Sequence, residues 1–316
     1  MLSRKRKIFF LLLYVTTVSV LFNGRQSARF VNYISHVLET RSCACQKCLS
    51  EGEPWFMDRY NQSVKPFLSR KHGITEDIFN WWKRLQGDRS SFNNYTEAID
   101  KVFQMIPDKD HNTQPSPDKC RSCAVVGNSR NLKGSHYGAL IDSHDIIMRM
   151  NRGRTQGYEI DVGTRTTHHV MYPESAKPLP NTTHLVLFPF KTKDFRWTIS
   201  SLTSEMYKDV KSRIKIHGGS LIMLSPAFMK YVHENWLLNP TRTYPSTGFM
   251  AVVLSLHMCD EVSVFGFGAD SDGNWSHYFE ELRNKLLRTG LHKGPQEYRI
   301  IQQLFELQKI HMYKGW

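Results

Sequence analysis

Two histidines in the C-terminal third of the chain are the side chains best placed to do chemistry. His277 and His292 each lie in a polar segment, whereas His168 and His169 lie in an apolar stretch and are predicted to be structural. Histidine exchanges protons near neutral pH, so it commonly serves as a general acid or a general base. Residue type alone also allows either of the first two to be an ordinary surface residue.

A second segment has the character of a phosphate site. Ser246 and Thr247, within Tyr244-Pro-Ser-Thr-Gly248, lie where a helix is predicted to begin. The N-terminus of a helix offers unpaired N–H groups and the positive end of the helix dipole, and both suit a phosphate. Ser246 would also serve as an ordinary N-cap, and the two interpretations are compatible.

A third polar segment, Gly127-Asn128-Ser129-Arg130-Asn131, directly follows an apolar run. Glycine lets the backbone approach a ligand closely, and the amide side chains supply donors and acceptors. The segment has neither the dinucleotide-binding fingerprint nor the P-loop pattern. On these residues alone a plain turn is favoured over a nucleotide site.

One short acidic pattern raises the question of a metal. Asp270-Ser-Asp272 has the form of the D-x-D with which some sugar-transferring enzymes hold a divalent cation. Because Asp272-Gly273 is also typical of a turn, the turn is the favoured interpretation.

These residues need a scaffold, and the apolar pattern predicts an α/β fold. Helices are predicted over 77–86, over 94–106 with Asn94 as N-cap, and over 248–258. Strand-like apolar runs follow Cys120, at 123–127, 168–172, 185–190, 221–224 and 262–268. Short buried strands that alternate with helices favour a mostly parallel central sheet flanked by helices. In such sheets ligands bind where strands end and helices begin, which is where both polar segments lie.

The first thirty residues predict a compartment. Residues 4–7 are all basic, and residues 8–22 carry no charge. We expect a cytosolic tail over 1–7, a signal-anchor transmembrane helix over 8–22, a stem over 23–50 and a single lumenal catalytic domain over 51–316. A cleaved signal peptide is the alternative, although no small-x-small cleavage pattern follows the apolar run.

Sequons and cysteines agree with a lumenal body. Glycosylation is predicted at Asn61, Asn94 and Asn181, while the sequon at Asn274 is predicted to be unoccupied because a glycan would crowd the site beside His277. The six cysteines are Cys43, Cys45, Cys48, Cys120, Cys123 and Cys259. In an oxidising lumen they favour three disulfides, although two C-x-x-C pairs also have the spacing of zinc ligands.

Composition excludes several classes of protein. The chain has 316 residues, of which 40% are hydrophobic and 22% charged, so a packed core is expected rather than wholesale disorder. The net charge of +13 suits an anionic substrate or an acidic surface. Nucleic-acid binding is not favoured, because the basic residues are scattered and the body is predicted to be lumenal.

Four segments together resemble the motifs of the eukaryotic sialyltransferases. The large motif is matched from Cys123 through Asn151 and on to Asp161-Val-Gly-Thr, and the small motif from Tyr244 through Asp270. His277-Tyr-Phe-Glu280 resembles the third motif, and His292 with Glu297 matches the very small one. The segments occur in family order, and the stem cysteines with residues 81–86 and 168–175 resemble the α-2,3-sialyltransferases that act on Galβ1-3GalNAc.

The resemblance implies an inverting transfer of sialic acid from CMP-sialic acid to the 3-hydroxyl of galactose. It implies a GT-A-like variant fold and neither a metal nor another cofactor. It implies His292 as the general base and His277 as a partner of the departing phosphate. Acceptor contacts are implied for Gln86 and Tyr244. Contacts with CMP-sialic acid are implied for Asn128, Ser129, Asn151, Tyr172, Tyr207, Ser246, Thr247, Gly248 and Gly268.

The resemblance also implies covalent links, partners and a location. The family pattern suggests the disulfides Cys123–Cys259, Cys45–Cys120 and Cys43–Cys48. The expected partners are Galβ1-3GalNAc-bearing glycoproteins or glycolipids and the Golgi membrane, which a single-pass type II protein would enter; a homodimer is allowed. Two alternatives stay open: a catalytically silent glycan- or nucleotide-binding Golgi protein, and a sialyltransferase with another acceptor preference.

Overall fold

The computed structural model describes residues 53–107, 120–210, 213–238, 243–280 and 292–315. The predicted tail, transmembrane helix and stem lie outside these residues. Within the described ranges, no helix combines the length and the apolar composition that crossing a membrane requires.

The centre of the molecule is a single sheet of seven strands. They are β1 Ser122–Val126, β2 Ile146–Met150, β3 His168–Met171, β4 His184–Leu187, β5 Leu221–Met223, β6 Glu261–Phe265 and β7 His311–Tyr313. Their order across the sheet is β5-β4-β3-β2-β1-β6-β7, and every neighbouring pair is parallel. The predicted α/β class with a mostly parallel sheet is confirmed.

Nine α-helices lie among the described residues. They are α1 Pro54–Met57, α2 Glu76–Trp82, α3 Phe92–Met105, α4 Gly138–Asp142, α5 Glu159–Val162, α6 Thr192–Leu202, α7 Pro226–Tyr231, α8 Thr247–Met258 and α9 Gly294–Glu306. Short 3-10 helices occupy Arg130–Leu132, Pro173–Ser175 and Gly218–Ser220, and a π-helix occupies Val232–Trp236.

Helix α8 forms the core of the fold because it is apolar around its whole circumference. Eleven of its residues are buried, and it packs against β1, β2, β3 and β6. A helix without a polar face is stable only when other elements cover it on all sides. Its position therefore fixes the start of the helix, at Ser246, against the end of the sheet.

The predicted elements agree with the structure except at several positions. Asn94 is not the N-cap of α3: the side chain of Ser91 accepts a hydrogen bond from the Asn94 backbone N–H, so the helix begins earlier. Strand β2 was not predicted because Arg149 interrupts its apolar run, yet Arg149 is buried. Strand β7 is a three-residue edge strand without a buried pattern. The helix predicted over 77–86 ends at Trp82. Six of the nine helices were not predicted: α1, α4, α5, α6, α7 and α9.

One predicted disulfide lies within the described residues. Cys123 of β1 is bonded to Cys259, which ends α8, so the bond joins the large-motif strand to the small-motif helix. This pairing is confirmed. The other two pairings, Cys45–Cys120 and Cys43–Cys48, involve residues outside the described ranges.

The strand order reverses direction beside β1. The chain places β2 to β5 successively on one side of β1 and then returns to place β6 on the other side. The chain leaves β1 toward β2 and leaves β6 toward β7, in opposite directions across the sheet. Such a reversal creates a crevice where ligands bind in open α/β sheets.

Candidate active site

A cavity of about 290 Å³ lies at this strand reversal. The loops after β1 and β6, the start of α8 and the start of α9 form its walls. It is lined by eight of the nine residues predicted to contact the donor: Asn128, Ser129, Asn151, Tyr172, Ser246, Thr247, Gly248 and Gly268. The cavity is also lined by the two predicted acceptor contacts, Gln86 and Tyr244. The two histidines predicted to take part in the reaction, His277 and His292, line it as well.

Tyr207 is the exception among the predicted site residues. It is absent from the cavity lining, and its hydroxyl accepts a hydrogen bond of 3.0 Å from Lys101 of α3. The same lysine forms an ion pair with Glu205. The structure therefore places Tyr207 in a surface cluster with Lys101 rather than with the other predicted donor contacts.

The loops after β1 and β6 are fastened to each other. Ser129 donates its side-chain hydroxyl proton to the carbonyl of Gly268 at 2.8 Å and its backbone N–H to the carbonyl of Gly266 at 3.0 Å. A Cβ atom at Gly127 would lie 2.3 Å from the carbonyl oxygen of Gly266, so only glycine fits there. The sequence predicted that Gly127 allows a close approach of the backbone. In the structure this approach is to the β6 loop.

Gly268 is a second position that requires glycine. Its φ of 94° lies in the left-handed region, and a Cβ would lie 2.5 Å from the ring of Tyr298. Tyr298 belongs to α9 and lines the cavity. The bare backbone of Gly268 therefore lets α9 close one wall of the cavity.

The start of α8 is held by two elements. Ser246 is the N-cap, since its hydroxyl accepts a hydrogen bond of 3.1 Å from the backbone N–H of Phe249. Glu297, in the first turn of α9, accepts hydrogen bonds from the Ser246 backbone N–H at 2.7 Å and from the Ser246 hydroxyl at 2.5 Å. The helix end predicted to suit a phosphate is thus held in place by a carboxylate of α9.

Glu297 is 5% exposed, and its ionisation reflects that burial. Burial raises the pKa of the Glu297 carboxyl above its ordinary value, while the two hydrogen bonds from Ser246 and the nearby His292 oppose the rise. The carboxylate therefore links the helix end to His292 electrostatically.

His292 is oriented by the backbone. Its Nδ1 lies 3.0 Å from the carbonyl oxygen of Tyr244, and since a carbonyl only accepts, Nδ1 carries the proton. In the neutral ring the lone pair is then on Nε2, the nitrogen that a general base would use. The Tyr244 ring packs edge-on against the imidazole with centroids 4.9 Å apart, which fixes the plane of the ring.

His277 has a different partner. Its Nδ1 lies 2.8 Å from a carboxylate oxygen of Glu280, and its ring stacks on Phe279 at 5.2 Å. In the doubly protonated ring, Nδ1 would pair with this carboxylate while Nε2–H could donate to an anion. The backbone at His277 also pairs with Ser129, which brings it beside the β1 loop.

Asn151 and Tyr172 complete the wall near β2 and β3. Asn151 adopts a φ of 53°, and its side-chain oxygen accepts a hydrogen bond of 3.0 Å from Ser175. The ring of Tyr172 packs edge-on against Phe190 at 5.9 Å, and Phe190 in turn packs on Tyr244 at 5.3 Å. These contacts hold the side chains of Asn151 and Tyr172 in place. The sequence had assigned both to the donor site only through the family resemblance.

The structural histidines and the acidic turn behave as expected from the sequence. Buried His169 pairs with the carbonyl of Asn151 at 2.7 Å, and burial lowers the pKa of His169 to about 4. Asp270 accepts hydrogen bonds from the backbone N–H groups of Asp272 and Asn274, which closes a turn. Among the residues that the structure describes, no group of three or more His, Cys, Asp or Glu side chains is arranged to hold a metal ion.

Several lining residues were not singled out from the sequence. Phe267, Trp275 and Tyr298 line the cavity, and Glu297 had been noted only as the end of a motif. Phe267 lies just after β6 and Trp275 lies two residues before His277. Their positions in the sequence, next to predicted site residues, could have indicated them. The contact of Glu297 with Ser246 joins residues 51 positions apart, and local pattern does not indicate it.

The four sequons differ in exposure. Asn61, Asn94 and Asn181 are exposed, whereas Asn274 is 8% exposed. The exposed side chains could carry a glycan without disturbing the fold, and the buried one could not. The predicted occupancies remain predictions.

Comparison with known proteins gives consistent results. The model of "Glycosyltransferase family 29 (sialyltransferase)" matches residues 67–309. The chain is 44% identical over 285 residues to CMP-N-acetylneuraminate-beta-galactosamide-alpha-2,3-sialyltransferase 1 of Gallus gallus, covering 87% of this chain and 83% of that protein. It is 43% identical over 291 residues to the Mus musculus protein of the same name, covering 88% and 85%.

Solved structures show the same likeness. The crystal structure of a mammalian sialyltransferase is similar with a TM-score of 0.76 and 43% identity, over 84% of this chain and 95% of that one. A mammalian sialyltransferase in complex with Gal-beta-1-3GalNAc-ortho-nitrophenol is similar with a TM-score of 0.75 and the same identity and coverage.

Proposed function

The chain belongs to glycosyltransferase family 29, the sialyltransferases, and on that premise we propose that it transfers sialic acid from CMP-sialic acid to the 3-hydroxyl of galactose in Galβ1-3GalNAc. The relatives' names specify a β-galactosamide α-2,3-transfer, and one similar structure contains a Gal-beta-1-3GalNAc derivative. The cavity at the strand reversal supports the assignment because His277, His292 and the N-terminus of α8 all line it.

The nucleotide of the donor would bind where β1 and α8 meet. The side-chain NH₂ group of Asn128 donates a hydrogen bond to the carbonyl of Met150 at 3.2 Å, which fixes the orientation of the carboxamide. Thr247 and Gly248 contribute backbone N–H groups of the first helical turn, and these suit the phosphate. Gly248 approaches the Phe267 ring closely, since a Cβ there would lie 3.1 Å from it.

His292 would act as the general base. The galactose 3-hydroxyl attacks the anomeric carbon of sialic acid as the bond from that carbon to the phosphate oxygen of CMP breaks. The hydroxyl proton passes to Nε2 of His292, and CMP leaves with the bonding electron pair, so configuration inverts. A positioned histidine contributes typically about 10²–10⁴-fold to such a step.

The departing phosphate would be stabilised by His277 and by the start of α8. Charge that develops on the leaving oxygen is best met by donors fixed before the reaction, because they need not reorganise. Ser246 and Glu297 hold the helix end in place. We propose that these donors serve where other transferases use a metal ion.

The orientation of His292 is the observation that carries the proposal. Its Nδ1–H is committed to the Tyr244 carbonyl, and the α8 N-terminus begins only two residues further along, at the N-cap Ser246. One short segment therefore aims a base and presents a phosphate site at the same time.

The sequence supports a proposal for the location and the wider partners of the protein. We propose a single-pass type II protein of the Golgi membrane with its catalytic domain in the lumen, because the N-terminal charge pattern and the exposed sequons favour that topology. Glycoproteins that carry Galβ1-3GalNAc are the proposed acceptors, with glycolipids as a further class.

A transfer assay tests the proposal. The purified protein is given CMP-sialic acid with Galβ1-3GalNAc, Galβ1-4GlcNAc or a ganglioside, each with and without EDTA. We expect transfer to Galβ1-3GalNAc that EDTA leaves unchanged and that His292→Ala lowers at least about 10²-fold while CMP still binds. Lack of transfer to Galβ1-3GalNAc would refute the proposed function, and loss of activity in EDTA would refute the metal-free step.

A further inference from the structure

The side chain of Lys191 lies at the acceptor end of the cavity without lining it. Its ammonium is 3.3 Å from the side-chain oxygen of Gln86, 2.7 Å from Glu174 and 3.0 Å from Asp194. The side chain is 19% exposed. A lysine with this many partners is held in one conformation. It can therefore fix the orientation of the Gln86 side chain that it contacts.

The two carboxylates that hold the lysine come from different elements of the chain. Asp194 is 1% exposed and accepts hydrogen bonds from the backbone N–H groups of Phe190 and Lys191, so it is anchored at the start of α6. Glu174 belongs to the 3-10 helix that follows Tyr172. Burial lowers the pKa of Lys191, but the charge of Asp194 and the hydrogen bond to Glu174 raise it by more. The pKa of Lys191 therefore lies above its ordinary value.

The loop that carries Gln86 is fastened at the same place. Asp88 accepts a hydrogen bond of 2.6 Å from the backbone N–H of Thr192, the first residue of α6. The backbone of the 83–88 turn is therefore fixed near Lys191. What remains adjustable is the carboxamide of Gln86, whose two ends are nearly the same size.

The chemistry of Lys191 decides which end faces which way. An ammonium group has three donors and no acceptor, so only the carboxamide oxygen of Gln86 can face it. The carboxamide nitrogen then points toward the Tyr244 hydroxyl, 3.5 Å away, at the cavity wall. Gln86 therefore offers the cavity a donor rather than an acceptor.

We propose that Lys191 is a positioning residue for acceptor binding: it locks the Gln86 carboxamide so that its NH₂ group faces an oxygen of the acceptor sugar. Lys191 itself touches neither substrate. The inference rests on the proposed transferase function and names one part of its acceptor recognition.

Steady-state kinetics of Lys191→Met test this role. Methionine keeps the length of the side chain but removes the ammonium. We expect the KM for Galβ1-3GalNAc to rise about tenfold, with the KM for CMP-sialic acid within about twofold of wild type. Lys191→Arg should recover most of the acceptor affinity, because a guanidinium can still donate to Gln86 and to both carboxylates.

Two further variants make the test specific. Lys193→Met removes a neighbouring lysine from the first turn of the same helix and should leave both KM values unchanged. In the background of Gln86→Ala, the Lys191→Met change should have little additional effect on the acceptor KM, because the lysine acts through the glutamine.

The possible outcomes separate the two proposals. A wild-type protein that transfers no sialic acid would refute the proposed function itself. An active wild type whose acceptor KM does not change in Lys191→Met, or changes equally for donor and acceptor, would overturn only the positioning role. Full additivity of Lys191→Met with Gln86→Ala would overturn it as well.

Discussion

The brace between Glu297 and Ser246 gives the most informative perturbation of the site. Glu297→Ala removes a buried carboxylate that accepts two hydrogen bonds, at 2.7 Å and 2.5 Å, from the N-cap of α8. Each hydrogen bond to a charged acceptor contributes roughly 1.5–3 kcal/mol, so the two together contribute about 3–6 kcal/mol. Both Ser246 donors would also be left without this partner.

Glu297→Gln separates charge from hydrogen bonding. The glutamine oxygen can still accept from the Ser246 backbone N–H, and its NH₂ group can donate to the hydroxyl oxygen. We therefore expect a smaller loss, about 1–2 kcal/mol. Because the same helix end is proposed to hold the phosphate of CMP, CMP affinity should fall at least about tenfold in the alanine variant, a loss of about 1.4 kcal/mol.

Urea unfolding and calorimetric titration with CMP measure the two effects. Glu306→Gln, at the exposed C-terminal end of the same helix, is the matched control and should alter neither. If Glu297→Ala unfolded within about 1 kcal/mol of wild type and bound CMP equally well, the brace would not stabilise the helix end and the argument would fail.

Three further predictions concern the covalent and ionic state of the fold. Replacing Cys123 and Cys259 together by alanine should lower the free energy of unfolding by about 5 kcal/mol, because the bond closes a loop with a sequence separation of 136. Burial lowers the pKa of His257 to about 3, so only the unfolded chain gains this proton between pH 6.5 and 3, and stability falls as pH falls through that range. His257→Phe should therefore reduce the stability lost between pH 6.5 and 5 by about 2 kcal/mol. Glycopeptide mapping of active protein should find Asn61 modified and Asn274 unmodified, because Asn274 is buried.

Each of these has its own contradicting result. The cysteine variant would contradict the clamp if it unfolded at the wild-type urea concentration. An unchanged pH profile in His257→Phe, or an equal change in the exposed control His72→Phe, would exclude His257 as the source of acid sensitivity. High glycan occupancy at Asn274 with full activity would show that this segment can leave its buried position.

The elements that carry the site were largely predictable because they are strongly apolar. Helix α8 and strands β1 and β6 are buried along nearly their whole length, so their runs of hydrophobic residues are unmistakable. A parallel sheet then requires the loops after β1 and β6 to meet at one edge. From these elements the general position of the ligand could be inferred without homologous structures.

Elements with mixed composition were missed for a physical reason. Strand β2 contains Arg149, which a hydrophobic pattern treats as exposed. In the structure the guanidinium is buried because it donates hydrogen bonds to the carbonyls of Val162 and Arg165. Burial of a charged group depends on partners elsewhere in the chain, and periodicity carries no information about them.

The fine geometry of the site was also beyond the sequence. The contact of Glu297 with Ser246 and that of Lys191 with Gln86 join residues 51 and 105 positions apart. Resemblance grouped Tyr207 with the donor contacts, yet the structure places it beside Lys101. Residue types could be assigned from the sequence, but which side chains meet was decided by packing.

A crystal structure of the protein with CMP and Galβ1-3GalNAc bound together tests the central claim most directly. The account predicts the galactose 3-hydroxyl at about 2.6–3.2 Å from Nε2 of His292. It also predicts the CMP phosphate against the backbone N–H groups at the start of α8. Cytidine bound outside this cavity, or a galactose 3-hydroxyl beyond reach of the imidazole while both ligands are in place, would contradict it.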